Sequence, residues 1–135
     1  MKFFEWKDEY SVGIRAMDAQ HKRIIEMIDE LWHAMKQGKG REKVGDILEK
    51  LSDYVNTHFV SEERLMKEYD FPEYEEHRKE HEEYAEKVKE FIRRYKNREI
   101  GLSVHLLTFL KDWLSNHICI TDKKYGPFLN KKGVK

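Results

Sequence analysis

HFVSEERLMKEYDFPEYEEHRKEH, residues 58–81, decides the fold. On its left, Val44, Ile47, Leu48, Leu51, Tyr54, Val55, His58, Glu62, Leu65, Met66 and Tyr69 recur at helical spacing. On its right, Tyr74, His77, His81, Tyr84, Val88, Phe91, Ile92 and Tyr95 do the same. Pro72 separates them, because proline disfavours helix in the residue ahead of it. The link is only a few residues long, so the two helices are antiparallel neighbours.

Working outward, an earlier helix carries His21, Ile24, Ile25, Ile28, Leu31, Trp32 and Met35, and QGKG at 37–40 ends it. Asp18 is its expected N-cap. A later face reads Leu102, Leu106, Phe109, Leu110, Trp113, Leu114 and His117, after a turn bracketed by Asn97 and Gly101. The expected fold is all-α: one up-down-up-down antiparallel four-helix bundle spanning residues 1–135, with helices at about 18–37, 41–69, 73–96 and 100–120. Residues 1–17, with Phe3, Phe4, Trp6, Tyr10, Val12 and Ile14, are too apolar for a free tail and form an arm packed on the bundle. Residues beyond 120 read as a C-terminal tail.

Composition narrows the function. Lys+Arg and Asp+Glu are 26 each, so formal net charge is zero, which argues against nucleic-acid or anionic-membrane binding. One cysteine, Cys119, excludes an intramolecular disulfide and a Cys-based zinc site. MKFFEWKDEY has no apolar signal region, and no apolar run approaches the ~20 residues that span a bilayer. A cytoplasmic protein without membrane insertion is expected.

The inward faces carry the anomaly. An amphipathic helix should put apolar residues inward, yet His21, His58, Glu62, His77, His81 and His117 interrupt those faces. Each local pattern is weak, since about one His-x-x-x-Glu is expected by chance in a chain this rich in both. Height along the bundle decides. The starts of helices one and three meet the ends of helices two and four, so all five imidazoles arrive at one end of the core. Such a cluster is costly in an apolar interior unless something satisfies it. Imidazole with carboxylate suits iron, zinc or manganese. Glu62 is preferred to Glu63 because it shares a face with His58 at i+4. Asp122 follows His117 by five, about 140° around an ideal helix. It reaches the site only if the helix ends or loosens there, for example by a π-type turn. Asp112, about two turns further from that end, is the less favoured candidate. His33 and His105 lie off the inward face and are read as non-ligands, and Tyr125 is either a donor to the site or packing.

MDAQH at 17–21, HFVSEE at 58–63, HRKEH at 77–81 and WLSNHICITDKKYGP at 113–127, with Trp6 and VGI at 12–14 in the arm, resemble the hemerythrin family, in particular its bacterial single-domain members. The likeness runs from about residue 4 to residue 127. It implies two iron ions (Fe2+/Fe3+) with an oxo or hydroxo bridge. His77, His81 and His117 would hold one iron and His21 and His58 the other, with Glu62 and Asp122 bridging. The odd number of histidines would leave one coordination position for dioxygen. Phe59, Trp113, Leu114, Ile118 and Ile120 would line an apolar oxygen pocket that keeps water out. The implied function is reversible dioxygen binding for storage, transport or delivery, not enzymic turnover, to a recipient the sequence does not name. The alternatives are a di-iron oxidase, peroxidase or nitric oxide-handling enzyme, or oxygen or iron sensing with a separate partner.

Overall fold

The computed structural model describes residues 2–99, 101 and 103–135. Four helices make the bundle: α1 (Arg15–Lys36), α2 (Arg41–Glu68), α3 (Tyr74–Lys96) and α4 (Val104–Asn116). The chain then passes through a π-helical segment, His117–Asp122, into α5 (Lys123–Lys131). α2 packs against both α1 and α3, and α1 against α4. Expected positions Ile100 and Leu102 of the fourth helix lie outside the described residues.

The hairpin at Pro72 closes through backbone geometry. Asp70 takes a left-handed φ of 56°, its N–H reaches Lys67 O at 3.3 Å, and Phe71 N reaches Met66 O at 2.9 Å. That pair of bonds satisfies carbonyls the helix leaves open, and Phe71 is buried beside them. α1 ends the same way on Gly38, and α3 on Arg98. Ser103 caps α4, its Oγ accepting from Leu106 N at 3.1 Å. Reversals this tight fix helix register, and register places the inward histidines at a common height.

Two boundaries differ from the sequence reading. α1 starts at Arg15, with Ile14 at the N-cap, so Asp18 lies inside the first turn. Asp18 is used to fold back the arm: it accepts from Ser11 Oγ at 2.6 Å and Val12 N at 2.8 Å. The expected tail is helical, because Tyr125 and Leu129, four apart, bury one face of α5. Two apolar positions are too few for periodicity to reveal. The arm packs as expected, with Phe4, Tyr10, Val12 and Ile14 buried. Asp29 anchors its start by accepting from Phe3 N and Phe4 N at 2.6 and 2.9 Å. Gly126 lets α5 approach it, since a Cβ there would stand 2.2 Å from Val12 O.

Candidate metal centre

All seven side chains expected at the site are buried, and they converge. α1 supplies His21, α2 supplies His58 and Glu62 one turn apart, and α3 supplies His77 and His81 one turn apart. The π-helical segment supplies His117 and Asp122. Hydrogen bonding from i to i+5 stacks residues five apart on one face, which brings Asp122 Oδ1 to 3.0 Å from His117 Nε2. The loosened turn thus brings Asp122 into the cluster, whereas Asp112 is exposed on α4.

The donors form two overlapping groups. Glu62, His77, His81, His117 and Asp122 offer one set of atoms within 4.8 Å of one another; His21, His58, Glu62 and Asp122 offer the other. Asp122 divides its oxygens between them. Oδ1 stands 2.8 Å from His77 Nε2, while Oδ2 stands 3.1 Å from His21 Nε2. Glu62 Oε1 lies 3.3 Å from His58 Nε2 and 3.2 Å from His81 Nε2, and its Oε2 lies 3.2 Å from His21 Nε2.

These distances suit a shared ion. Two donors at about 2.1 Å from one ion, at a right angle, stand about 3 Å apart. His81 Nε2 and His117 Nε2 are 3.1 Å apart. Meanwhile Glu62 Oε1, His77 Nε2 and both Asp122 oxygens are fully buried and make no directed hydrogen bond among the described residues. Close approach without hydrogen-bond direction means that these lone pairs aim at common points between the side chains. Burying such atoms without a partner is costly, and a cation accepts them all. The seven residues therefore suit a metal site.

Electrostatics agree. Burial alone pushes the His21 imidazole pKa down, but Asp122 and Glu62 outweigh it and hold it up at about 9. Burial likewise opposes charge on His117, which Asp122, Glu80 and Glu62 raise to about 10. Burial would raise both carboxyls, and Glu62 and Asp122 also oppose one another. The surrounding imidazoles nevertheless hold each well below the ordinary carboxylate range. The cluster is a well of negative potential that favours positive charge.

An outer layer orients the rings. His81 Nδ1 donates to Glu63 Oε2 at 2.8 Å, His117 Nδ1 to Glu80 Oε1 at 3.3 Å, and His58 Nδ1 to Gln20 Oε1 at 2.5 Å. Tyr125 donates its hydroxyl to Glu62 Oε2, and burial beside the Glu62 charge keeps that phenol protonated. Sequence reasoning weighed Glu63 only as a rival to Glu62, and it missed Gln20 and Glu80. The available signal was a polar residue adjacent to an inward histidine: Gln20 precedes His21, and Glu80 precedes His81. Neither neighbour is the ring it supports, so only the fold reveals the pairing.

Of the expected apolar lining, Phe59, Leu114 and Ile118 are buried. Phe59 stacks on His81 at 3.8 Å, and the half-buried Trp113 stacks on His117 at 4.6 Å. Ile120 is a correction: it is 63% exposed. The widened turn points Ile118 and Asp122 inward and leaves Ile120 facing solvent. His33 is partly exposed beside Asp29, and His105 is exposed; neither joins the cluster.

Residues 12–129 match the family model described as the hemerythrin HHE cation binding domain. The chain belongs to the hemerythrin family. It is 37% identical over 126 residues to a bacteriohemerythrin of Stenotrophomonas maltophilia, covering 93% of this chain and 81% of that one. With a bacteriohemerythrin of Methylococcus capsulatus it shares 32% identity, covering 90% and 92%. A crystal structure of wild-type hemerythrin superposes with a TM-score of 0.88 at 31% identity, covering 93% of this chain and 96% of that one. The buried His, Glu and Asp side chains lie within the hemerythrin domain match, and a metal site suits them.

Proposed function

We propose that this chain binds dioxygen reversibly at a pair of irons, as an oxygen storage or delivery protein. His77, His81 and His117 would hold one iron, His21 and His58 the other, and Glu62 and Asp122 would bridge. The observation that carries this reading is the division of Asp122, with Oδ1 toward His77 and His117 and Oδ2 toward His21. When bound, two irons would supply the two electrons that dioxygen binding needs and a place for dioxygen to bind.

The chain's own residues favour holding over turnover. Di-iron carboxylate proteins of the ferritin-like class draw most donors from glutamates, whereas five imidazoles and two carboxylates keep the charge of this donor set low. Phe59, Leu114 and Ile118 present buried hydrocarbon near the donors and exclude water and protons from them. Tyr125 fixes Glu62 from the other side. Among the described residues no helix is long and apolar enough to cross a membrane. The lone free Cys119 suits a reducing compartment such as the cytoplasm.

An optical oxygen cycle on iron-loaded protein tests the proposal. Reduced without air, the protein should carry about two irons per chain, gain a visible band on admitting dioxygen and lose it when the gas is removed. A ferric spectrum that forms once and does not reverse would instead favour oxidase or peroxidase chemistry. Failure to retain iron would remove the reading altogether.

A further inference from the structure

The imidazoles on the two sides of the cluster are backed by different chemistry. On the three-histidine side, His81 Nδ1 meets the Glu63 carboxylate and His117 Nδ1 meets the Glu80 carboxylate. Glu80 is itself held, since Thr121 Oγ1 lies 3.0 and 3.1 Å from its two oxygens. On the two-histidine side, His58 Nδ1 meets the neutral amide of Gln20, and the buried His21 Nδ1 has no hydrogen-bond partner among the described residues. An outer carboxylate draws the Nδ1 proton toward itself and makes Nε2 a stronger donor; a neutral amide does so less.

We propose that Glu63 and Glu80 are positioning residues that make the three-histidine side the more electron-donating half of the centre, so that it takes up metal first and favours the oxidised ion. This rests on the assignment of the seven ligands above. The imbalance in number, three imidazoles against two, is therefore reinforced by an imbalance in donor strength. A dioxygen position on the two-histidine side would then fall on the weaker-donating half, where the imidazoles would compete less with an incoming ligand for the metal.

The test uses cobalt(II) as a probe, followed by calorimetry and proton NMR on the full chain. In the wild type, binding should proceed in two steps. One equivalent should shift exchangeable imidazole N–H resonances of the three-histidine side before those of the two-histidine side. Glu63→Gln with Glu80→Gln keeps an acceptor of the same shape but removes both charges. The tight step should weaken by about 10- to 100-fold, the second step should hold, and in the iron-loaded double variant the midpoint potential should rise. Gln20→Glu should tighten the second step and lower the potential. Unchanged affinity steps and potential in the glutamine variants would overturn the inference, as would binding to the two-histidine side first. If the wild type binds no cobalt and no iron, the ligand assignment itself fails, which is a different result from two-step binding indifferent to the outer carboxylates.

Discussion

At one end of the bundle Ile28, Leu31, Val44, Leu48, Leu51, Val88, Leu107 and Leu110 are buried against one another. At the other end the same four-helix arrangement buries five imidazoles and two carboxylates. The first end removes hydrocarbon from water and so favours folding, at roughly 1.5–3 kcal/mol for each large side chain fully buried. The second end buries groups that prefer water and whose attractions only partly offset their desolvation. One half thus stabilises a frame, and the other uses that frame to hold donors at spacings they would not choose. The hemerythrin site is preorganised because its rigidity is supplied from elsewhere in the helices, not from the site.

The strongest break in this comparison comes from Asp122→Ala. It strips the shared carboxylate from His21, His77 and His117. Breaking a buried charged pair costs about 3–5 kcal/mol. Denaturant unfolding with and without a chelator should show that cost, together with loss of the metal-dependent gain. In the wild type that gain reaches about 4 kcal/mol when free metal is a thousandfold above its dissociation constant. A variant that still responds to chelator like the wild type would remove Asp122 from the centre.

Leu48→Ala asks the converse. Leu48 is fully buried, and its truncation should cost about 2–5 kcal/mol. It lies ten residues from His58 on α2, about 15 Å along the axis. Sites that far apart add nearly independently. Metal stoichiometry by elemental analysis and the chelator response should therefore stay as in the wild type. Loss of metal binding in this variant would mean that the two halves are not separable.

How much of this was legible in the sequence follows the same division. The helices α2 and α3 and their antiparallel pairing could be read because hydrophobic period and Pro72 are local signals. The inward histidines were visible as exceptions to that period, and chain direction then set their common height. Asp122 was legible only as a condition, since five residues do not share an α-helical face. The π-helical segment is a backbone choice that sequence periodicity does not encode. Ile120 was misplaced because nearness in sequence to His117 does not say which side of the widened turn a residue takes. Glu80 and Gln20 stayed hidden because their partners lie on other helices, 37 and 38 residues away. The start of α1 was misjudged because Asp18, a good capping type, is used by the arm instead.

Gly126→Ala sharpens the comparison at the site end, where α5 holds Tyr125 against Glu62. The added Cβ would meet the Val12 backbone oxygen at 2.2 Å, so backbone must move. Overpacking of this kind costs about 1–3 kcal/mol. Because the shift starts next to Tyr125, it should also loosen the Glu62 contact, and oxygen should dissociate faster in stopped-flow measurements. Unchanged dissociation with lowered stability would show that the arm supports folding without reaching the centre.

The smallest effect belongs to Glu49→Gln, at the hydrocarbon end. Glu49 pairs with Lys96 across α2 and α3, with both side chains about half exposed. Solvent and salt screen such a pair, which holds it to about 0–1 kcal/mol. The thermal midpoint should therefore move little, less still in high salt, and metal content should not change. A loss approaching that of Leu48→Ala would contradict the view that this half is held by apolar burial. It would place surface charge among the forces that fix helix register, and with it the height at which the histidines meet.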